Sequence, residues 1–206
     1  MAEVISIGVQ TPANKKYNEK KKAILQAIID IVVEGGYPAL KLSDVAIKAN
    51  VAISTVRAYE DQYKLLNDSL NYIFVRYIEF ITRTEIFEVP INERPQLFVA
   101  LSWRHYKSAD YLASLEILLS AHRGWGKKPF TLEDSSLWNE YLGHTRAIFD
   151  VAHMNDRELS QVMTTVHNAL TGLSLQLVVY PSTANVGGYL RNIITSFTAA
   201  LENKKT

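Results

Sequence analysis

Four side chains within one short stretch, Ser54, Thr55, Arg57 and Tyr59 in "NVAISTVRAYEDQYKLL", combine hydroxyl donors, a guanidinium and a phenol. That assortment suits hydrogen bonding to base edges and phosphates rather than covalent catalysis, because an arginine reads a base bidentately while hydroxyls and phenols serve base or backbone. Glu60 and Asp61 follow at once and oppose a polyanion. A second constellation lies further along the chain: Tyr77, Trp103, Tyr106, Trp138, Tyr141, His144 and His167. Large aromatics at helical spacing ordinarily fill a core. Here they keep company with imidazoles and phenols, which a dry core disfavours and a pocket for an apolar or aromatic molecule with one or two polar handles would use.

The raw material for catalysis is thin. There is no cysteine, hence no disulfide, thiolate ligand or thiol nucleophile. The five histidines (105, 122, 144, 153 and 167) make no Glu-x-x-His pair and no His-Glu-x-x-His motif. Glu140 and His144 are spaced i,i+4 and stand alone, as a simple hydrogen bond would require. "GWGKKP" lacks the spacing of a phosphate loop, and no Gly-x-Ser-x-Gly elbow occurs. No catalytic residue, metal or cofactor is therefore expected, and an all-helical enzyme is the least favoured class.

Composition is that of an ordinary globular chain: 206 residues, 48% hydrophobic, 21% charged, net charge +1. The positive excess sits at the front, where Lys15, Lys16, Lys20, Lys21 and Lys22 fall close together as a solvated arm or a phosphate contact. The N-terminus has no signal-peptide pattern, and the stretches read as too short in apolar residues for a membrane span. The expectation is a cytoplasmic protein.

Apolar residues recur at three- and four-residue spacing almost throughout, so the expected fold class is all-α with about nine helices. The first runs through Ile24, Ile28, Ile31 and Val32 and stops at Gly35-Gly36. Ser43 reads as the N-cap of a short second helix over 44–49, Asn50 as a left-handed turn residue, and 53–59 as a third helix. Longer helices follow over about 63–84, from Pro95 to Lys107, from Ala109 to Gly124, from Glu133 and Asp134 to His153, from Asn155 to Pro181, and over 184–203. Only "EVISIGVQ" at the start alternates like a strand.

Two short helices joined by a tight turn, the second with polar residues outward, form the helix-turn-helix plan. The segment from Ala23 to Leu66 resembles the DNA-binding domain of tetracycline-repressor-type (TetR-type) transcription factors. The match is carried by Gly36-Tyr37 after the first helix, and by Asp44, Val45, Ala46 and Ala49 in the second. Val51 after the turn, then Thr55, Val56 and Tyr59, and Leu66 early in the fourth helix complete it. Departures are Asn50 for the turn glycine, Ala52 for the capping serine, Arg57 for a tyrosine, Glu60 for a phenylalanine, and Tyr63 where a lysine opens the fourth helix, with Lys64 next. Ala52 forfeits a cap worth roughly 1 kcal/mol.

The resemblance implies an N-terminal arm over 1–17, a helix-turn-helix domain over 18–64, and an effector-binding and dimerisation domain over 65–206. It implies double-stranded, palindromic operator DNA as partner, contacted by Lys41, Ser43, Lys48, Ser54, Thr55, Arg57, Tyr59 and Lys64. It implies a small-molecule effector among the aromatics named above. It also implies a homodimer joined by the last two helices through Leu170, Leu173, Leu177, Leu190, Ile194 and Phe197. A repressor released by its effector is the default; the alternative is a ligand-binding or protein-interaction dimer of the same fold that has lost strong DNA binding.

Overall fold

The computed structural model describes residues 18–58, 62–83, 85–125, 136–182 and 185–202. These form nine α-helices and two single 3-10 turns, with no strand among the described residues. The expected arm over 1–17, its possible strand, Lys15, Lys16, Tyr59, Glu60, Asp61, Glu133 and Asp134 lie outside them.

Helix α1 (Glu19–Gly35) opens at Asn18, whose side chain accepts the Lys21 N–H at 2.8 Å, and buries Ile24, Leu25, Ile28, Ile29 and Val32. It ends because Gly36 turns left-handed at φ 74. A Cβ at Gly36 would also sit 3.0 Å from Glu116 Oε1, so glycine answers a close approach as well as a turn. After the 3-10 turn Tyr37–Ala39 comes α2 (Leu42–Lys48). Its first N–H groups bond to the Lys41 carbonyl, so Ser43 already lies inside the first turn and cannot cap it. The Ser43 hydroxyl turns instead to Asp44, 3.3 Å away, which corrects the expected N-cap.

Asn50 adopts φ 53, and the Val51 N–H reaches back to the Ala46 carbonyl at 3.0 Å, closing the turn as expected. Helix α3 (Ile53–Arg57) follows from an extended Ala52 with no side-chain cap. Val45, Ala46 and Val56 are buried, which fixes α2 and α3 against α1.

Helix α4 (Gln62–Arg83) spans roughly 33 Å at 1.5 Å per residue. Beyond the 3-10 turn Glu85–Phe87, α5 (Arg94–Tyr106) has Pro95 in its first turn, where the missing N–H costs nothing. The Arg94 guanidinium gathers three backbone carbonyls, those of Phe87, Val89 and Ile148, at 3.2, 3.0 and 2.8 Å. Helix α6 (Ala109–Trp125) begins where Ser108 Oγ accepts the Tyr111 N–H. Helix α7 (Ser136–Phe149) stops four residues earlier than expected, because Asp150 takes φ 52 and Arg146 donates to the Val151 and Met154 carbonyls of the turn.

A capping box between Asn155 and Glu158 starts α8 (Asp156–Val179), and α9 (Val186–Glu202) follows. Helix α8 is long and apolar enough to cross a membrane by length and composition, contrary to the sequence expectation. Here it lies in the bundle, with Leu159, Met163, Leu170 and Leu173 inside.

The core is one continuous cluster from Ile24 to Leu201. Phe98, Phe149 and Phe197 meet there at centroid distances of 5.1–5.7 Å. That placement corrects part of the expected partner surface: Leu170, Leu173 and Phe197, at 0%, 4% and 2% exposure, are spent inside their own chain. Leu177, Leu190 and Ile194 are half-buried at the edge of the same core.

Asn50 offers a direct check on the turn. Replacement by Gly should leave the melting temperature unchanged or slightly higher, whereas Asn50→Val should cost about 1–2 kcal/mol, the penalty for a bulky L-residue in the left-handed region. Equal melting curves for the two variants would contradict the turn geometry.

Candidate nucleic-acid interface and ligand chamber

Helix α3 is only five residues long, and its outward face is polar. Ser54 and Arg57 are exposed and Thr55 is half-buried, while Val56 points into the head. Lys41, Ser43, Lys48 and Lys64 are exposed around them. Lys48 is not a free cation: both Glu34 oxygens hold its ammonium, at 2.7 and 2.9 Å, and that hydrogen bond raises its pKa. Arg57 is left as the exposed guanidinium of the helix. Tyr59 falls outside the described residues.

The head is pinned to the body through α1. Lys21 pairs with buried Asp68 of α4 at 2.7 Å. Arg76 of α4 donates to Gln26 of α1 at 2.8 Å and to Asp110 of α6 at 2.9 Å. The Tyr37 backbone N–H donates to Glu116 of α6 at 2.6 Å. The faces of α4 and α6 turned away from α1 line a chamber of about 490 Å³, closed by α5, α7 and α8. A cavity of that size falls in the usual range for small-molecule sites.

Of the seven sequence-selected pocket residues, Tyr77, Tyr106, Trp138 and His167 line this chamber. Tyr141 is fully buried just behind the wall and bonds His167 Nε2 at 2.7 Å. Trp103 and His144 do not belong to it, which corrects both. On α5 the lining positions are His105 and Tyr106, and Trp103, two residues before His105, lies about 200° from it around the helix. His144 faces Glu140 at 3.8 Å on the flank of α7.

The wall residues that sequence reasoning missed are chiefly His105, Phe74, Tyr111 and a set of amides, Asn67, Asn71 and Asn168. The amides carried a usable signal. Asn67, Asn71, Phe74 and Tyr77 share one face of α4, and polar amides on an inward stripe mark a cavity better than aromatics do. Asn67, Asn71 and Asn168 have no side-chain hydrogen-bond partner among the described residues, so they stand ready for a ligand.

The phenols, the indole and the His167 imidazole are already hydrogen-bonded. Tyr77 OH bonds Ser102 Oγ at 2.8 Å, Tyr111 OH bonds Thr171 Oγ1 at 2.6 Å, and Trp138 Nε1 donates to Ser160 Oγ at 3.0 Å. His167 lies between two phenols, Tyr106 at Nδ1 and Tyr141 at Nε2. A neutral ring donates from one nitrogen and accepts at the other, so one phenol accepts while the other donates. Burial keeps it neutral, pushing its pKa down to about 3, with the nearby His105 adding to the effect. His105 is pushed down to about 4, by burial first and then by the Arg76 charge. Burial also raises Tyr77, Tyr106 and Tyr141, and takes Tyr111 up to about 12. The chamber is aromatic, hydrogen-bonding and without a formal charge on its described wall. No group of three or more metal-ligating side chains occurs among the described residues.

A second concavity, about 600 Å³ and mostly apolar, runs between α8 and α9, past Val162, Ala169, Leu173, Tyr189 and Ile193. Beside it Val178 and Val179 are 58% and 60% exposed, and Leu175, Tyr180 and Tyr189 are exposed as well. The apolar surface left over on the last two helices includes this groove, which Leu173 and Phe197 of the expected face also line.

No protein-family model matches the sequence, and no curated protein matches it at the sequence level. Solved structures do match by fold. A TetR-family transcriptional regulator from Streptomyces coelicolor superposes with a TM-score of 0.63 at 17% identity, over 90% of this chain and 99% of that one. A TetR transcription regulator from Haloarcula marismortui gives 0.62 at 16% identity, over 89% and 98%. The multidrug binding protein EbrR, complexed with ethidium, gives 0.61 at 17% identity, over 87% and 98%. The chain therefore has the TetR-type fold across nearly its whole length.

The two histidines give this site a measurable pH signature. Their contribution to stability is complete above the unfolded value of 6.5 and is lost as pH falls from there toward about 3–4, because only the unfolded rings take up protons. Between pH 7 and pH 5 the loss should be about 2 kcal/mol per ring, read as a falling urea midpoint. In a His167→Gln variant the slope contributed by the pair should be roughly halved over the same window; an unchanged slope would contradict a buried neutral His167.

Proposed function

We propose that this chain is a dimeric, sequence-specific DNA-binding transcriptional regulator of the cytoplasm, a repressor released by a small apolar or aromatic effector. The observation that carries the reading is the shared use of α4 and α6: one face of each holds the helix-turn-helix head, the other lines the chamber. Under this reading the units are a head over 18–64 and a body over 65–206. Ser54, Thr55 and Arg57 meet base edges, and Lys41, Ser43, Lys48, Tyr59 and Lys64 hold phosphates. A ligand that fits only one chamber shape favours one placement of the head, a population shift with a coupling typically of about 1–3 kcal/mol. The ethidium bound to EbrR, a structure of the same fold, supports a small molecule as the occupant.

The α8–α9 concavity and its exposed valines and tyrosines suit a second copy of the chain, giving a four-helix contact about a two-fold axis. Such symmetry fits a palindromic site, each half read by one head. The rival reading, the same fold without strong DNA binding, is favoured by one observation: Glu34 already neutralises Lys48 beside the reading helix.

Selection of bound fragments from a random duplex pool, followed by titration at two salt concentrations, separates the two. A regulator should return a palindromic consensus with a steep salt slope. Arg57→Ala should cost about 1–3 kcal/mol at one base position and relax preference there, and Lys64→Ala should lower the salt slope by about one. No enrichment and a shallow slope would favour the rival. Independently, Ala169→Glu, which places a charge in the α8–α9 groove, should convert a dimeric elution into a monomeric one. Wild-type elution as a monomer at micromolar concentration would end the dimer reading.

A further inference from the structure

The rings of Tyr77 and His105 stack with centroids 4.6 Å apart. With Ile73 they belong to two cavities at once. On one side is the uncharged aromatic chamber. On the other is a smaller recess of about 290 Å³, open to solvent, whose further walls include Arg76, Arg104 and Asp110. Formal charge, absent from the described chamber wall, is concentrated in the recess.

The charges there do not cancel. Asp110 is committed to Arg76 at 2.9 Å, and Arg76 also donates to Gln26. Arg104 has no carboxylate partner among the described residues; its guanidinium lies over the Phe80 ring, 5.5 Å from the centroid. The recess therefore presents one uncompensated guanidinium, held above an aromatic floor and separated from a ring-lined chamber by a partition one side chain thick.

We propose that the recess is the anion-binding end of the ligand site, and that the ligand is an aromatic carboxylate: its ring system in the chamber, its carboxylate on Arg104. The proposal rests on reading the chamber as the effector site. A single planar guanidinium matches a carboxylate bidentately, whereas a phosphate dianion asks for more positive charge than the recess supplies. A cationic ligand would be repelled by the uncompensated Arg104. The aromatic chamber in turn suits a flat apolar body with rings to stack on. The Tyr77–His105 partition sets the geometry, since the linker between ring and carboxylate must pass it. Arg76 connects this end of the site to the head, because an anion seated beside it competes with Asp110 for the guanidinium that also holds Gln26 of α1.

The test is calorimetric titration of the full chain with matched pairs: naphthalene-2-carboxylate and its homologues with one to three methylenes before the carboxylate, each against its primary amide. For at least one linker length the acid should bind about tenfold or more tightly than the amide, the margin typical of a charge-assisted over a neutral hydrogen bond. Arg104→Gln should bring that ratio close to one, by weakening the acid more than the amide; Arg104→Lys should keep part of the preference. Among the described residues Arg104 makes no ion pair, so neither variant removes one there. Acid and amide binding alike in the wild type, or a preference that survives Arg104→Gln, would overturn the anion site while leaving the chamber standing. If neither member of any pair binds, chamber and recess fall together.

Discussion

The arrangement depends on how α1 is held. Its inner face is apolar and packs on α4 and α6, but its position along them is set by three polar ties. These are Lys21 to Asp68, Gln26 to Arg76, and the Tyr37 N–H to Glu116. Apolar packing alone is tolerant of sliding, because burial is roughly proportional to area and carries no direction. Hydrogen bonds to charged partners carry direction and make a few discrete placements much better than those between. The Glu116 tie is the tightest of the three, since it closes onto the backbone beside a glycine that leaves no room for a Cβ. Helices α2 and α3 then follow α1 as a unit, sealed to it by Val45, Ala46 and Val56.

The chamber solves a different problem. A cavity among helices exposes polar atoms that a packed core would not need, and each must be satisfied or left facing solvent or ligand. Here the phenols, the indole and the deep imidazole are bonded to one another or to hydroxyls of neighbouring helices, so the wall is stiff without being charged. The amides of Asn67, Asn71 and Asn168 are among those left over, and they face the space a ligand would occupy. Specificity in such a site comes from ring shape and a few directed bonds rather than from bulk charge.

Much of this was legible in the sequence, and the failures share a cause. The helical period, the stop at Gly36 and the left-handed Asn50 depend on neighbours within a few residues, and all appear as expected. Tyr77, Tyr106, Trp138 and His167 were found because aromatic and polar types coincide on inward faces. Trp103, His144 and Leu170 were misplaced because a periodic pattern says that a residue points inward but not at what. Nothing local tells whether a leucine on α8 faces its own bundle or a partner. The Ser43 cap failed by two residues, within the usual margin for helix starts, and Asp150 shortened α7 because a left-handed aspartate leaves little trace in composition. Arg104 went unnoticed for another reason: its interest lies in having no carboxylate partner among the described residues, and a sequence does not show absent partners.

Arg94 has a mechanical meaning that its bonds alone do not convey. Its guanidinium ties the loop after α4, the start of α5 and the end of α7 into one knot, through three main-chain carbonyls that no side-chain substitution among them can remove. A lysine, with a compact ammonium in place of a planar fork, would not serve three such acceptors in the same way. The knot lies beyond the C-terminal end of α4, while the head is moored to the helix at Asp68 and Arg76. The long helix is thus a beam clamped at one end. Under the proposed function, outward pressure on its middle, where the chamber lies, would be resisted at the clamp and expressed at the other end, as displacement of whatever is fastened there.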